Sequence, residues 1–600
     1  AAGRAAVPFT TGILIGIGET RAERIEALLE IRRVHDVHGH IQEVIIQNFR
    51  AKPDTKMRDF PEPDLQDLAW TVAVARLVLG GAMSIQAPPN LSPGGLAMLV
   101  GAGLNDWGGV SPVTPDYVNP EAPWPHLQRL ADETADAGKL LVERMTVYPA
   151  YALDAGRWID PKLAPAIRRQ IDGEGFARVE AWRAGKTMPP PAADLTLLAE
   201  RKAPAVGSRL ARILDKPFAD KPLDESEAAY LFEARGDAFS AVAAAADALR
   251  QEVAGDTLTY VVNRNINYTN VCYFKCQFCA FSKGKLTENL RGKPYVLDLE
   301  EIGRRTAEAW ERGATEVCLQ GGIHPAYTGQ TYIDILGAVK QAAPDIHIHA
   351  FTPLEVQQGA ATLGLPIPTF LAMLKDAGLG TLPGTAAEIL DDEVRAIICP
   401  DKLNTAEWFE VMAAAHAIGL RSTTTIMFGH VESYRHWARH LMRLRQAQSE
   451  TGGFSELVPL PFVADEAPIY LKGLARSGPT FREAILMHSV GRLALFPWFS
   501  NIQASWVKLG EAGVQAALNA GANDIGGTLM NESITRAAGA AHGEEMPPHG
   551  MEAIARALGR PVRQRSTLYG FPPETQARRA RQAAPLEPVV NRAAKEYERT

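Results

Sequence analysis

The chain is poor in cysteine: five in 600 residues, with none before Cys272. An odd set gathered in one place excludes a disulfide framework and favours a reducing compartment. Long apolar runs are missing as well. No uninterrupted stretch reaches the ~18 residues of a membrane span. The amino terminus lacks the charged, apolar and cleavage regions of a secretory signal. These absences predict a cytoplasmic protein with no membrane partner. Neither sign of charge dominates, and a net charge of −7 gives no hint of a nucleic-acid ligand. The chain opens on Ala1-Ala2-Gly3 without an initiator methionine, and is expected to be a piece of a longer one. What remains is an ordinary globular composition, 46% hydrophobic and 22% charged. Its length suits two large domains.

Three of the five cysteines fall in one short run, Cys272-Tyr273-Phe274-Lys275-Cys276-Gln277-Phe278-Cys279, a C-x3-C-x2-C spacing. Three thiolates can hold three irons of a 4Fe–4S cluster and leave the fourth iron open to a substrate or cofactor. The competing reading is structural zinc, which normally takes four ligands; no fourth Cys or His lies nearby in sequence. Cys318 and Cys399 sit in apolar surroundings and read as core.

The chain repeats itself. Residues 9–19 (FTTGILIGIGE) parallel 423–432 (TTTIMFGHVE), and 41–48 (IQEVIIQN) parallel 455–461 (SELVPLP). Further on, 84–87 (SIQA) matches 501–504 (NIQA), and 103–109 (GLNDWGG) matches 521–527 (GANDIGG). Order and nearly spacing are kept, so two copies of one fold are expected. Each match is a short apolar run ending in Gly, Pro, Asn or Asp, with helical patterns between, which indicates an α/β fold with a parallel sheet. The second copy reads as strands near 259–267, 315–320, 345–351, 379–383, 421–428, 455–461, 501–506 and 522–526, a (β/α)8-type barrel. The first copy holds only the last four units, half a barrel with two unpaired sheet edges. The expected domains are 1–186, a linker at 187–220 around Pro189-Pro190-Pro191, and a complete barrel over 221–600.

The cluster loop follows the first strand, at the face where barrel active sites assemble. Gln320-Gly321-Gly322 ends the second strand, where glycines let backbone approach a ligand; His324 follows. The run 346–351 (IHIHAF) alternates, so His347 and His349 share a face. They read as substrate-binding or proton-shuttling groups, or as satisfied core polar groups. Glu355 and Glu388 follow strands three and four, where a solvated carboxylate is the plain alternative. Asn523-Asp524 recurs as Asn105-Asp106 and is read as a polar contact to a ligand, with helix capping as the alternative. The basic tail (Arg560, Arg563, Arg565, Arg578, Arg579, Arg581) reads as solvated surface.

On the three-cysteine loop, with Phe278 before its last cysteine, the sequence resembles the radical S-adenosylmethionine (SAM) superfamily. The resemblance implies a 4Fe–4S cluster on Cys272, Cys276 and Cys279, with SAM on its open iron. It gives Gly321 and Gly322 to the SAM amino group. Gly12-x-Leu14-x-Gly16-x-x-Glu19 resembles the adenine-side pattern, and Thr425-x-Met427-x-Gly429-x-x-Glu432 is its looser second version. Cofactor contacts are thus expected from Phe278, Gly321, Gly322, Glu388, Met427 and Glu432, and catalysis from His324, His347, His349, Asn523 and Asp524.

Residues 265–272, 319–325, 382–388 and 521–532 narrow the resemblance to the tyrosine-using subunit of the FO synthase family. Residues 8–20 and 103–114 resemble its ring-closing subunit. The implied substrates are L-tyrosine and 5-amino-6-(D-ribitylamino)uracil. The implied reactions are transfer of the 4-hydroxybenzyl group, then cyclisation to 7,8-didemethyl-8-hydroxy-5-deazariboflavin with loss of ammonia. An external flavodoxin- or ferredoxin-like protein would donate the electron. The alternatives are an aminofutalosine synthase-like enzyme, which shares the run 320–325 (QGGIHP), and a non-catalytic iron–sulfur module.

Overall fold

The computed structural model describes residues 1–586 and 589, apart from 112, 206 and 283–293. It divides into two compact units, Ala1–Val179 and Glu180–Thr600.

In the first unit β1 (Phe9–Ile15), β2 (Ile41–Asn48) and β3 (Ile85–Gln86) form a parallel sheet in that order. A parallel bridge from Gln86 to Asp106 continues it. The helices Arg21–His38 and Leu65–Leu79 supply the crossovers. The first begins at a Thr20–Glu23 capping box and stops at left-handed Gly39, the start and stop chemistry expected of a surface helix. Ile15, Val44, Ile46, Val72 and Ile85 build the core. β1 is largely exposed, with Phe9 and Leu14 open to solvent.

In the second unit the first strand is broken at Val262 into β4 (Leu258–Val261) and β5 (Asn263–Ile266). A parallel ladder then runs through β6 (Glu316–Leu319), β7 (His347–Ala350), β8 (Thr381–Leu382), β9 (Arg421–Phe428) and β10 (Phe454–Pro461). Parallel bridges Leu457–Ile502 and Gln503–Asp524 carry it to β11 (Asp524–Gly527), which pairs with β4. The ring is closed, as barrel packing requires. The seventh position is reduced to Ile502 and Gln503, where 501–506 was expected. The Gln503–Asp524 bridge repeats Gln86–Asp106, so the two copies agree in pairing as well as in sequence.

The β-branched run of β9 is buried along nearly its whole length, as a strand covered on both faces should be. Helix Phe481–Leu495 is buried at every residue. The reason is a second layer: Glu225–Phe232 and Asp237–Ala254 pack outside it. No helix among the described residues is long and apolar enough to cross a membrane.

Two further features differ from the sequence reading. The stretch 187–220, expected as a linker, carries helices Ala192–Glu200 and Arg209–Phe218. Ile213 and Leu214 of the latter are buried in the second unit's core. β12 (Val562–Arg565) was not expected at all; its VRQR sequence has no strand pattern. It pairs parallel with β4, and the break at Val262 leaves β5 free to pair with β6.

Candidate functional site

A cavity of ≈ 250 Å³ opens at the carboxyl ends of the barrel strands. The loop after β5 brings Cys272, Cys276, Phe278 and Cys279 to it, and the turn after β6 brings Gly321 and Gly322. Met427 of β9 and Glu388 of the loop after β8 complete the residues that the sequence pointed to.

The three thiols are free and half-buried. Among the described residues, only Asp391, Glu393 and His436 bring three ligand atoms within 4.8 Å of one another. The cysteine sulfurs therefore do not converge as the ligands of one zinc ion would. Three thiols line one cavity, and Cys399 nearby does not line it; such a set fits a 4Fe–4S cluster with an open iron. Burial pushes the Cys272 and Cys276 thiols up, so cluster assembly must release their protons.

The glycines have a structural reason of their own. A Cβ on Gly321 would lie 2.4 Å from the Tyr268 ring, and one on Gly322 would lie 2.3 Å from the Val271 carbonyl. The turn is pressed onto the cluster loop. The Gly322 amide donates to Thr269 O at 2.8 Å, and the Tyr273 amide donates to Ile323 O at 3.1 Å. The Gly321 amide donates to Glu355 at 3.2 Å. Glu355 also accepts from Tyr268 and caps helix Pro353–Leu363 through the Thr352 amide. It is fully buried, not the solvated carboxylate of the plain reading.

Lys402 was missed by the sequence reading. Its Nζ donates to Glu388 Oε1 at 2.9 Å and lies 5.5 Å from the centre of the Phe278 ring. Burial works against this ammonium, but the Glu388 carboxylate beside it holds it charged. A buried pair of this kind fixes geometry more than it stabilises. Its loop is strained: Ala386 and Glu388 have φ of 69° and 44°, left-handed values that cost non-glycine residues about 1–3 kcal/mol and gather at functional sites. The Met427 amide donates to Glu388 O at 3.0 Å, which ties that loop to β9.

The remaining expected residues do not line this cavity. Glu432 folds back beneath the turn after β9, accepting from the amides of Gly429, His430 and Val431 and from Trp437 Nε1. Burial opposes its charge; His430, Arg476 and the amides hold its carboxyl well below the usual range. Glu19 accepts from Gly16 and Ile17 in the same way. His324 accepts from the Ala326 amide at 3.1 Å and packs on Tyr327.

His347 and His349 share a face, as the alternation implied, and both bond Thr381 Oγ1, at 2.8 and 2.7 Å. Burial pushes His349 down to about 4, so it is neutral at pH 7 and satisfied within the barrel. Asn523 accepts from Arg492 at 2.8 Å and from the Ile502 amide at 2.9 Å. Asn105 does the same for Arg76 and the Ile85 amide. Asp524 accepts two bonds from Arg565, at 2.5 and 2.9 Å. The recurrence of Asn-Asp thus marks a repeated scaffold rather than a repeated ligand contact.

Arg565, expected on the surface, is buried. It reaches Glu456, which accepts from Tyr569 at 2.6 Å. The first unit repeats this set: Arg144 on Asp106 at 2.6 and 2.9 Å, and Tyr148 on Glu43. Each arginine stacks on the tyrosine four residues on, at 4.1 and 3.8 Å. Asp524 and Glu456 lie near the starts of their strands, at the end of the barrel away from the cavity.

A profile of the radical SAM superfamily matches residues 266–444, and one of the CofH/MqnC C-terminal region matches 451–577. The chain is 46% identical to an FO synthase of Streptomyces coelicolor, over 97% of the chain and 71% of that protein. It is 46% identical to an FO synthase of Mycobacterium tuberculosis, over 95% and 71%. A 5-amino-6-(D-ribitylamino)uracil–L-tyrosine 4-hydroxyphenyl transferase of Methanothermobacter thermautotrophicus is 46% identical over 61% of the chain and 98% of its own length. The chain belongs to the FO synthase family of the radical SAM superfamily.

Proposed function

We propose that the second unit transfers the 4-hydroxybenzyl group of L-tyrosine to 5-amino-6-(D-ribitylamino)uracil. The observation that carries this reading is the three-thiol loop on the cavity, in a unit similar to a transferase named for those two substrates. When bound, the cluster and SAM supply a 5′-deoxyadenosyl radical that removes a hydrogen atom from the amino acid. Tyrosine's Cα–Cβ bond would then break, an imino acid would leave, and the benzyl carbon would join the uracil, the adduct radical losing a proton and giving back the one electron that began the cycle.

The chain's own part is to hold, orient and exclude water. Cys272, Cys276 and Cys279 hold the cluster. Gly321 and Gly322 fix its loop against the turn after β6. Phe278, Met427, Leu460 and Phe462 give the cavity apolar walls, which keep a reactive carbon radical from solvent. Lys402 and Glu388 place a fixed dipole beside the sulfurs.

An external electron donor would meet the cluster loop from outside. A second depression, of ≈ 440 Å³, reaches all three cysteines past Tyr273, Lys275, Gln277 and Lys472. Tyr273, Lys275 and Lys472 are exposed, and such a basic and aromatic rim suits an acidic flavodoxin- or ferredoxin-like protein.

We assign the first unit to the ring-closing half of the family's chemistry. It has no cysteine, so residues 1–179 cannot supply a three-thiolate cluster by themselves.

The test is anaerobic incubation of the cluster-loaded chain with reductant, SAM, tyrosine and the diaminouracil. Deoxyadenosine and the benzylated uracil are expected; their absence refutes the reading. Cys276→Ala should abolish both iron and turnover. Cys399→Ala should keep both, because Cys399 is core.

A further inference from the structure

We propose that the Lys508 ammonium receives the α-carboxylate of the amino-acid substrate, an inference that rests on the transferase reading above. Three charged side chains line the cavity: Glu388, Lys402 and Lys508. Two of them neutralise each other, since Lys402 donates to Glu388. Among the described residues, the Lys508 ammonium makes no hydrogen bond or ion pair. It is thus the cavity's one uncompensated cation among the described residues.

Its position is fixed by its neighbours. The turn after the seventh strand position leads into helix Trp506–Leu518. Trp506 is buried and donates from its indole to Gly527 O at 2.9 Å. The Lys508 amide donates to Ser505 O, and its carbonyl accepts from Gly185. Val507 and Leu509 are buried on either side. The backbone is held while the lysine's long stem enters the cavity.

Burial pushes Lys508 down to about 8, against the pull of Glu532 and Glu388. A buried cation that no carboxylate contacts directly is costly, and an anionic ligand relieves that cost. Of the expected ligands, the ribitylaminouracil has no carboxylate, and the resemblance gives the carboxylate of SAM to the open iron. L-Tyrosine brings the remaining one.

The repeat gives an independent argument. Lys508 lies five residues after Gln503; five after the matching Gln86 stands Leu91, which is buried. The ring-closing half would act on a benzylated uracil that has already lost the carboxylate with the imino acid. It needs no such cation and has none at that position.

The test compares L-tyrosine with tyramine, the same molecule without the carboxylate. Equilibrium dialysis against the cluster-loaded full chain with SAM present reads binding apart from turnover. The wild-type chain should bind tyrosine about ten- to a hundredfold more tightly than tyramine, the value of a charge-assisted contact. Lys508→Gln should bring tyrosine down to the tyramine level with SAM affinity unchanged, and Lys508→Arg should keep most of the preference. Iron content and melting temperature show that the variants fold. A Lys508→Gln chain that still prefers tyrosine overturns the assignment, and so does one that loses SAM instead. A wild-type chain that binds neither compound and forms no adduct overturns the transferase reading itself.

Discussion

Gly322→Ala should loosen the cluster loop without unfolding the barrel. The new Cβ would stand 2.3 Å from the Val271 carbonyl oxygen and 3.0 Å from Cys272 Cβ. An ordinary carbon–oxygen contact is about 3.3–3.6 Å, so loop and turn must part by about 1 Å. The hydrogen bonds from Gly322 to Thr269 and from Tyr273 to Ile323 lie across that gap and would lengthen. Overpacking of this size costs about 1–3 kcal/mol. A shift of about 1 Å at Cys272, relative to Cys276 and Cys279, can cost roughly a hundredfold in turnover. Iron and sulfide per chain, measured after anaerobic reconstitution, should fall, and the melting temperature should drop by a few degrees. Gly337→Ala is the control: it lies in helix Gly329–Ala342, exposed, with nothing within 4 Å of the added carbon. Alanine there should stabilise the helix by about 1 kcal/mol and leave iron binding alone. A Gly322→Ala protein with full iron and an unchanged melting temperature would refute the reasoning.

Two further perturbations probe the scaffold. Arg565→Met leaves Asp524 and Glu456 buried without their cation and should cost about 3–5 kcal/mol; a change under about 1 kcal/mol in urea titration would contradict the buried clasp. Burial holds His349 at about 4, His440 at about 3 and His488 at about 4, all below the ordinary value near 6.5. As pH falls through about 6.5 the unfolded chain takes up these protons first, so stability is full above that pH and is lost toward about 4. The melting temperature should be level from pH 8 to 7 and decline from 6.5 to 5; a flat profile down to pH 5 would remove the three histidines as the cause.

The parts of the site that follow from chemical type were legible in the sequence. Three cysteines at short spacing have few other uses, and Gly321-Gly322 after an apolar run marks a turn that admits no side chain. The strands were legible because β-branched runs between helical patterns leave little choice. Position along a strand was not. Alternation shows that His347 and His349 share a face, yet it does not say which end of the barrel they occupy or that Thr381 satisfies both. Repetition likewise could not separate a repeated scaffold from a repeated ligand contact at Asn523-Asp524. Lys402 and Lys508 carry no local pattern; the one available signal was the exchange of Lys508 for Leu91 between otherwise matched segments. β12 was hidden because its sequence is charged and its place in the sheet depends on the break at Val262.

The repeated Asp–Arg–Glu–Tyr clasp divides inheritance from innovation within each copy. Asp106, Arg144, Glu43 and Tyr148 reproduce Asp524, Arg565, Glu456 and Tyr569 almost atom for atom, while the turn after the neighbouring strand carries Lys508 in one copy and Leu91 in the other. A duplicated gene could therefore change its substrate by altering residues at one rim while the other rim kept the strands in register. The foundations were copied; only the doorway was rebuilt.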